Sequence, residues 1–203
     1  MSFLENTRKP AGFGGKVMVR MMNLGHRALS SWGLSFLPAL KEGAVLDCGC
    51  GGGAAIRRLL QKYQTCKICG IDYSPVSVNT ACAVNQAAIA SGRCDIRQAS
   101  VLDLPFETAH FDLVTAFETV YFWPQLLQSF REVRRVLKPG GTFLICNECS
   151  GEKKQDAVWT AKIDGMQIYP PAQLQDLLEQ ADFRDIRIHQ TRAGWLCLLA
   201  QNP

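Results

Sequence analysis

Ala44-Val45-Leu46-Asp47-Cys48-Gly49-Cys50-Gly51-Gly52-Gly53-Ala54-Ala55 decides how the rest of the chain is read. Three apolar residues predict a buried strand, Asp47 closes it, and glycines carry the backbone into a helix that starts near Ala54. Glycine at 49, 51, 52 and 53 permits positive φ and removes the Cβ atoms that would hold a ligand away from the backbone. N–H groups exposed at such a helix start suit a carboxylate or another polar ligand group. Gly49-x-Gly51-x-x-Ala54 satisfies the loose dinucleotide fingerprint G-x-G-x-x-G/A. Asp47 argues against that ligand, because a carboxylate at the strand end repels a pyrophosphate and attracts a cationic group such as an ammonium or a sulfonium.

The 203 residues predict one domain with a sizeable core, and 47% hydrophobic with 20% charged residues is ordinary globular composition. No apolar run approaches the roughly 20 residues of a membrane span, and the N-terminus lacks a signal-peptide pattern, so a cytoplasmic protein off the membrane is expected. A net charge of +4 falls short of a nucleic-acid footprint. The excess is concentrated in Arg8, Lys9, Lys16, Arg20 and Arg27, near the N-terminus. Nine cysteines include Cys66-x-x-Cys69 and Cys146-x-x-Cys149, but both pairs lie in strand-like text. Residues three apart on a strand point to opposite faces, so buried free thiols are expected and no metal site.

Residues 1–15 read as an arm, and Lys16 to about Leu29 as a helix striped with Val17, Met21, Leu24 and Ala28. Ser30-Ser31 is expected to cap a second short helix ending at Pro38. Strand and helix then alternate, the pattern of a parallel sheet covered on both faces. Expected strands are Cys66–Ile71, Cys94–Ala99, Phe111–Ala116 and Thr142–Cys149; expected helices are Ala54–Tyr63, Ser74–Ala90, Gln125–Leu137 and Pro171–Ala181. The link Thr191-Arg192-Ala193 is short enough that Phe183–His189 and Gly194–Ala200 must run antiparallel. Asp72 ends the second strand 23 residues after Gly49, where α/β nucleotide folds place the acid that accepts from ribose hydroxyls.

Val45-Leu46-Asp47-x-Gly49-x-Gly51-x-Gly53 resembles the first motif of class I S-adenosylmethionine-dependent methyltransferases. Asp103-Leu104-Pro105-Phe106 with Phe111-Asp112-Leu113-Val114, and Arg135-Val136-Leu137-Lys138-Pro139-Gly140-Gly141, resemble two further passages of its small-molecule, bacterial type. The resemblance implies a Rossmann-like fold with a seven-stranded, mostly parallel sheet and a C-terminal antiparallel hairpin. It implies one domain, residues 1–38 a helical cap and 39–203 the catalytic core, using S-adenosyl-L-methionine. Asp47, Gly49, Gly51 and Gly53 would hold the methionine part and Asp72 the ribose. Tyr73 would lie along the adenine, Ser100 and Val101 at its edge, and the Phe117 backbone at the amino group. Ser100 stands where the family often has Asp.

No His–Asp or Cys–His constellation is legible, and His26, His110 and His189 are scattered. Cys48 and Cys50 are read as small loop residues and not as nucleophiles. The acceptor is expected between Met18, Met22, His26 and Trp32, the loop with Glu118, Tyr121 and Trp123, and the strand end with Asn147 and Glu148. Tyr121, Glu118 and Glu148 are the candidates to orient it or take its proton, with Tyr121 matching the family's substrate-facing position. A small-molecule acceptor is expected, with no metal, nucleic acid or membrane partner. A non-catalytic cofactor-binding protein and an RNA or protein methyltransferase remain open as alternatives.

Overall fold

A computed structural model of the chain describes residues 27–203. Helix α1 (Arg27–Ser35) leads to β1 (Ala44–Cys48), α2 (Ala54–Lys62), β2 (Lys67–Asp72), α3 (Pro75–Val84), α4 (Gln86–Ala90) and β3 (Cys94–Gln98). Then come β4 (Phe111–Phe117), a 3-10 turn (Val120–Phe122), α5 (Leu126–Val136) and β5 (Leu137–Asn147). The chain ends with α6 (Asp156–Lys162), α7 (Pro171–Gln180), β6 (Arg184–Gln190) and β7 (Leu196–Gln201). One sheet runs β3-β2-β1-β4-β5-β7-β6, parallel from β1 to β5, with β7 antiparallel to both β5 and β6. This is the mixed seven-stranded sheet, with its C-terminal hairpin, that the sequence leads one to expect.

Two apolar layers sandwich the sheet because successive strand residues alternate faces. Val45, Ile68, Leu113 and Leu144 pack with Leu29, Ile56, Leu59 and Ala81 of α1, α2 and α3. Leu46, Ile71, Val114 and Ile145 pack with Phe130, Val133, Leu174 and Leu178 of α5 and α7. Cys66 belongs to the first layer and Cys69 to the second, so that pair is split across the sheet. Arg135 ties α5 to the preceding loop, donating to Leu104 O (3.0 Å), Phe106 O (2.9 Å) and Glu132 Oε1 (2.7 Å).

Four expectations change in detail. Ser30 and Ser31 lie inside α1, and Ser30 Oγ donates back to Arg27 O (3.2 Å) instead of capping a new helix. The helix expected from 74 to 90 breaks at Asn85, whose side chain is drawn to the glycine loop. Lys138-Pro139-Gly140-Gly141 opens β5 as well as stopping α5, because Gly140 N–H donates to Asn202 O (2.7 Å) and Asn202 N–H to Gly141 O (2.9 Å). β5 ends at Asn147, and Cys149 turns away to bond with Tyr121. The arm, the Met stripe and His26 lie outside the described residues. Among the described residues, no helix is long and apolar enough to cross a membrane.

α1 reaches the sheet through a missing side chain: a Cβ on Gly33 would lie 2.7 Å from Cys146 Sγ and 3.0 Å from Phe117 Cε1. Gly33→Val is expected to lift α1 off β5 and cost about 1–3 kcal/mol of stability, read by urea unfolding. An unchanged midpoint would show that α1 does not rest on β5.

Candidate active site

β1 lies between β2 and β4, so the loops leaving the carboxyl ends of these three strands meet at the centre of the sheet. The glycine loop is wound tightly there. Gly49 and Cys50 N–H both donate to Ile71 O (2.8 and 2.9 Å), and Gly53 N–H donates to Cys50 O (2.9 Å). Gly51 N–H donates to Asp72 Oδ2 (2.9 Å). These donors, expected from sequence to be free for a ligand, are therefore engaged within the protein. The loop's positive φ values at Gly49 (77°), Gly51 (52°) and Gly53 (80°) still require glycine. A Cβ would strike Thr119 Oγ1 at Gly49 and Asn85 Nδ2 (2.5 Å) at Gly53. At Gly51 it would meet nothing within 4 Å among the described residues, so the loop is open there on the side they leave uncovered.

Two carboxyls flank this loop. Asp72 is only 8% exposed; besides Gly51 it accepts from Ser74 N–H at Oδ1 (2.9 Å). Burial raises its pKa, and the two N–H groups oppose the rise. Asp47 is fully buried in the β1 end and accepts from Thr115 Oγ1 (2.7 Å). Burial pushes its pKa up to about 7, against the Thr115 bond and with help from the charge of Asp72. Tyr73 follows Asp72 and is 44% exposed, and Gln98 Nε2 donates to its carbonyl (3.1 Å). Ser100 is exposed and its hydroxyl accepts from Leu102 N–H (3.2 Å), shaping its own turn, while Val101 beside it is buried.

The second group sits where β4 and β5 end. Phe117 closes β4, and Glu118 follows with a left-handed φ of 58°. Glu118 Oε1 accepts from the Glu148 backbone N–H and lies 3.2 Å from Tyr121 Oη. Tyr121 Oη accepts from Cys149 N–H (2.9 Å), leaving its own proton for Glu118 or for Cys149 O (3.4 Å). Burial pushes Glu118 up to about 8 and holds the Tyr121 phenol well above its usual range. The structure thus brings Glu118, Tyr121 and Glu148 into one network. Tyr121 is only 2% exposed, and its hydroxyl meets Glu118 and the Cys149 backbone. The Glu148 residue is exposed and meets Glu118 through its backbone.

Two aromatics expected on an acceptor wall pack elsewhere. Trp32 lies against Phe36 and Trp195 (centroids 5.1 and 5.9 Å), and Trp123 stacks on Phe143 (6.1 Å) with Nε1 donating to Thr119 Oγ1 (3.2 Å). Their size and apolarity are better served by the two core layers. Cys48 and Cys50 are buried with thiols pushed well above their normal pKa by desolvation, and Cys50 Sγ fills the space over Gly70 (3.2 Å). Sequence reading missed Thr115, Thr119 and Asn85. Asn85 Nδ2 donates to Gly53 O (3.1 Å) and Ala81 O (3.0 Å), fixing the far end of the glycine loop from 32 residues away. Its one sequence signal is the polar pair Asn85-Gln86 between the apolar stretches Ala81–Val84 and Ala87–Ala90.

Asn85→Ala leaves Gly53 O without that partner and is expected to cost about 1–3 kcal/mol in chemical unfolding, with Asn85→Asp no better because a carboxylate cannot donate. Asp47 and Glu118 titrate higher in the folded chain than in the unfolded one. Their contribution to stability is therefore full below their ordinary values of 3.8 and 4.5 and is lost progressively as pH rises to about 7 and about 8. The melting temperature of the ligand-free protein should fall across that window, and fall less steeply in Glu118→Gln. A flat profile would place both carboxyls in water.

Among the described residues, no three His, Cys, Asp or Glu side chains are grouped to hold a metal. The family described as "methyltransferase domain" matches residues 46–145. The rice cycloartenol-C-24-methyltransferase 1 is 32% identical over 57% of this chain and 33% of its own length. O-methyltransferase resE of Aspergillus sclerotiorum is 27% identical over 73% of this chain and 57% of its own. The chain thus spans less than two thirds of these relatives. In three dimensions it is similar to the methyltransferase partner of the Haloferax volcanii activator Trm112, with a TM-score of 0.83 at 21% identity over 93% of this chain and 94% of that one. It also resembles geranyl diphosphate C-methyltransferase from Streptomyces coelicolor, with a TM-score of 0.75 at 15% identity over 87% and 76%. With the glycine loop, the acid-ended strands and the antiparallel hairpin in place, residues 46–145 match the methyltransferase-domain family, and the described chain has the fold of these solved methyltransferases.

Proposed function

We propose that the protein transfers the methyl group of S-adenosyl-L-methionine to a small-molecule acceptor. The observation that carries this is the pair of buried carboxyls, Asp47 and Asp72, flanking a glycine loop that no described residue covers at Gly51. The donor set fits the cofactor. Asp72 keeps lone pairs for ribose hydroxyls beyond the two N–H groups it accepts from, and Asp47 offers a negative charge to an ammonium. Gly49, Gly51 and Gly53 shape the seat of the methionine part, Tyr73 presents an exposed ring to the adenine, and Ser100, Val101 and the Phe117 backbone border it. The relative named for methylating cycloartenol supports a small acceptor over a macromolecule.

When bound, the cofactor supplies a methyl already activated by its positive sulfur. The chain's own task is then placement: holding a nucleophile in line at roughly 3–3.5 Å with water excluded. Glu118, protonated below about pH 8, donates or takes a proton at Oε2 while Oε1 stays fixed by Glu148 N–H and Tyr121. Tyr121 fixes that carboxyl and anchors the turn at Cys149, a positioning role consistent with its burial.

Asp72→Ala removes the ribose acceptor, and two charge-assisted bonds of about 1.5–3 kcal/mol each predict a loss of at least a hundredfold in affinity for S-adenosylhomocysteine by calorimetry. NAD is expected not to bind either protein. Retained affinity in the variant would mean the ribose lies elsewhere. Tyr121→Phe keeps the ring but frees Glu118 and Cys149 N–H, so turnover with labelled cofactor should drop about tenfold or more while cofactor affinity holds. Equal losses in both would make Tyr121 a general structural support. Label entering no fraction of a metabolite extract would favour the non-catalytic binding protein.

A further inference from the structure

Asn147, at the end of β5, is 0% exposed, and neither Nδ2 nor Oδ1 has a hydrogen-bond partner. Ser150, three residues on and 1% exposed, likewise has an unpaired hydroxyl. The other unpaired buried atoms among the described residues are Nε of Arg93 and Arg134, whose other guanidinium nitrogens are placed against Leu60 O, Tyr63 O or Asp182. Among these residues, Asn147 and Ser150 therefore share the property of having both donor and acceptor idle. Such a side chain costs free energy in the empty protein, and a buried amide without partners calls for a group that supplies them.

The surroundings limit what that group can be. Along β5, Asn147 follows the face of Phe143 and Ile145, and its partner across the ladder is Leu196 of β7, all members of one apolar layer. A charged ligand would sit there uncompensated. A neutral oxygen, which accepts from Nδ2 and, as a hydroxyl, donates to Oδ1, satisfies the amide. The neighbouring residues Glu148 and Cys149 are the two whose backbone N–H groups are held by Glu118 and Tyr121. The chain leaves at Gly151 and returns at Pro170, where a Cβ on Gly151 would lie 3.2 Å from Pro170 N. The excursion between them carries α6, with Val158 and Trp159 exposed, and returns by the Gln167 N–H bond to Tyr121 O (2.9 Å). A flap with so few buried contacts opens at low cost.

We propose that Asn147 and Ser150 form a neutral polar subsite that takes a hydroxyl or carbonyl oxygen of an otherwise apolar acceptor, beneath the flap of residues 151–170. The proposal deepens the methyltransferase reading and rests on it. The probes are 2-naphthol, 2-acetylnaphthalene, 2-methylnaphthalene and 2-naphthoate, with binding followed by ligand-observed NMR, with and without S-adenosylhomocysteine. The wild type should prefer the two neutral oxygen-bearing probes over the hydrocarbon and the carboxylate by about fivefold, the worth of one net hydrogen bond. Asn147→Leu should erase that preference, leave S-adenosylhomocysteine affinity unchanged, and leave the melting temperature equal or higher, because an unsatisfied polar group has been replaced by an apolar one. Ser150→Ala should weaken the preference in part. A lower melting temperature in Asn147→Leu with the probe preference intact would make the amide the seat of a buried water and overturn the subsite. So would equal binding of all four probes, or binding of none. Failure of S-adenosylhomocysteine to bind the wild type would instead strike at the methyltransferase reading, with the probe preference still readable without it.

Discussion

A single carboxylate, Asp72, holds the centre of this protein together. It sits at the end of β2, almost out of water, and binds Gly51 N–H with one oxygen and Ser74 N–H with the other. The first bond pins the glycine loop that follows β1; the second fixes the start of α3, where Ser74 caps and Pro75 opens the helix. The backbone carbonyl of Asp72 adds a third tie, accepting from Ala99 N–H (3.1 Å) at the end of β3. Three loops at the carboxyl edge are thereby set by one residue. Its desolvation is offset by the N–H groups of Ser74 and Gly51 and by the Ser77 side chain.

The opposite half of the edge uses a different device. Glu118, in a left-handed conformation, reaches from β4 to the backbone of Glu148 after β5, and Tyr121 reaches to Cys149. Two side chains from one loop thus take up consecutive N–H groups of the next. A carboxyl that burial has pushed to about 8 costs little to keep there in its protonated form. The same desolvation that makes Glu118 a usable acid near neutral pH makes Asp47, at about 7, sensitive to any cation brought beside it. Both halves gain from β1 and β4 being neighbours, since that adjacency brings Thr119 against Gly49 and Thr115 against Asp47.

The periphery follows from the same constraints. Trp123 and Phe143 stack in the layer under α5, and Arg135 and Asn202 fasten the loops at the opposite, amino end of the parallel strands. The carboxyl edge is left to carry the idle amide of Asn147 and the flap beyond Gly151. Polar groups without partners persist there because the chemistry of a site, unlike that of a core, is completed by what binds.

Local pattern determined much of this chain. The apolar run before Asp47, the glycines after it, and Asp72 at the end of the next apolar run follow from the period of a strand and from the φ that only glycine adopts freely. The short link at residues 191–193 forced the final hairpin, because parallel strands need a longer crossover. What the sequence by itself did not determine were the contacts made across it. Asn85 holding Gly53 O, Glu118 holding Glu148 N–H, Trp32 and Trp123 turning into the core, and the isolation of Asn147 depend on residues tens of positions apart. Even the glycine-loop N–H groups, legible as donors, were given to Ile71 and Asp72 by the packing of β1 on β2. Propensity and periodicity are properties of neighbours along the chain, whereas hydrogen-bond partners and burial are fixed only once the sheet has brought distant segments together.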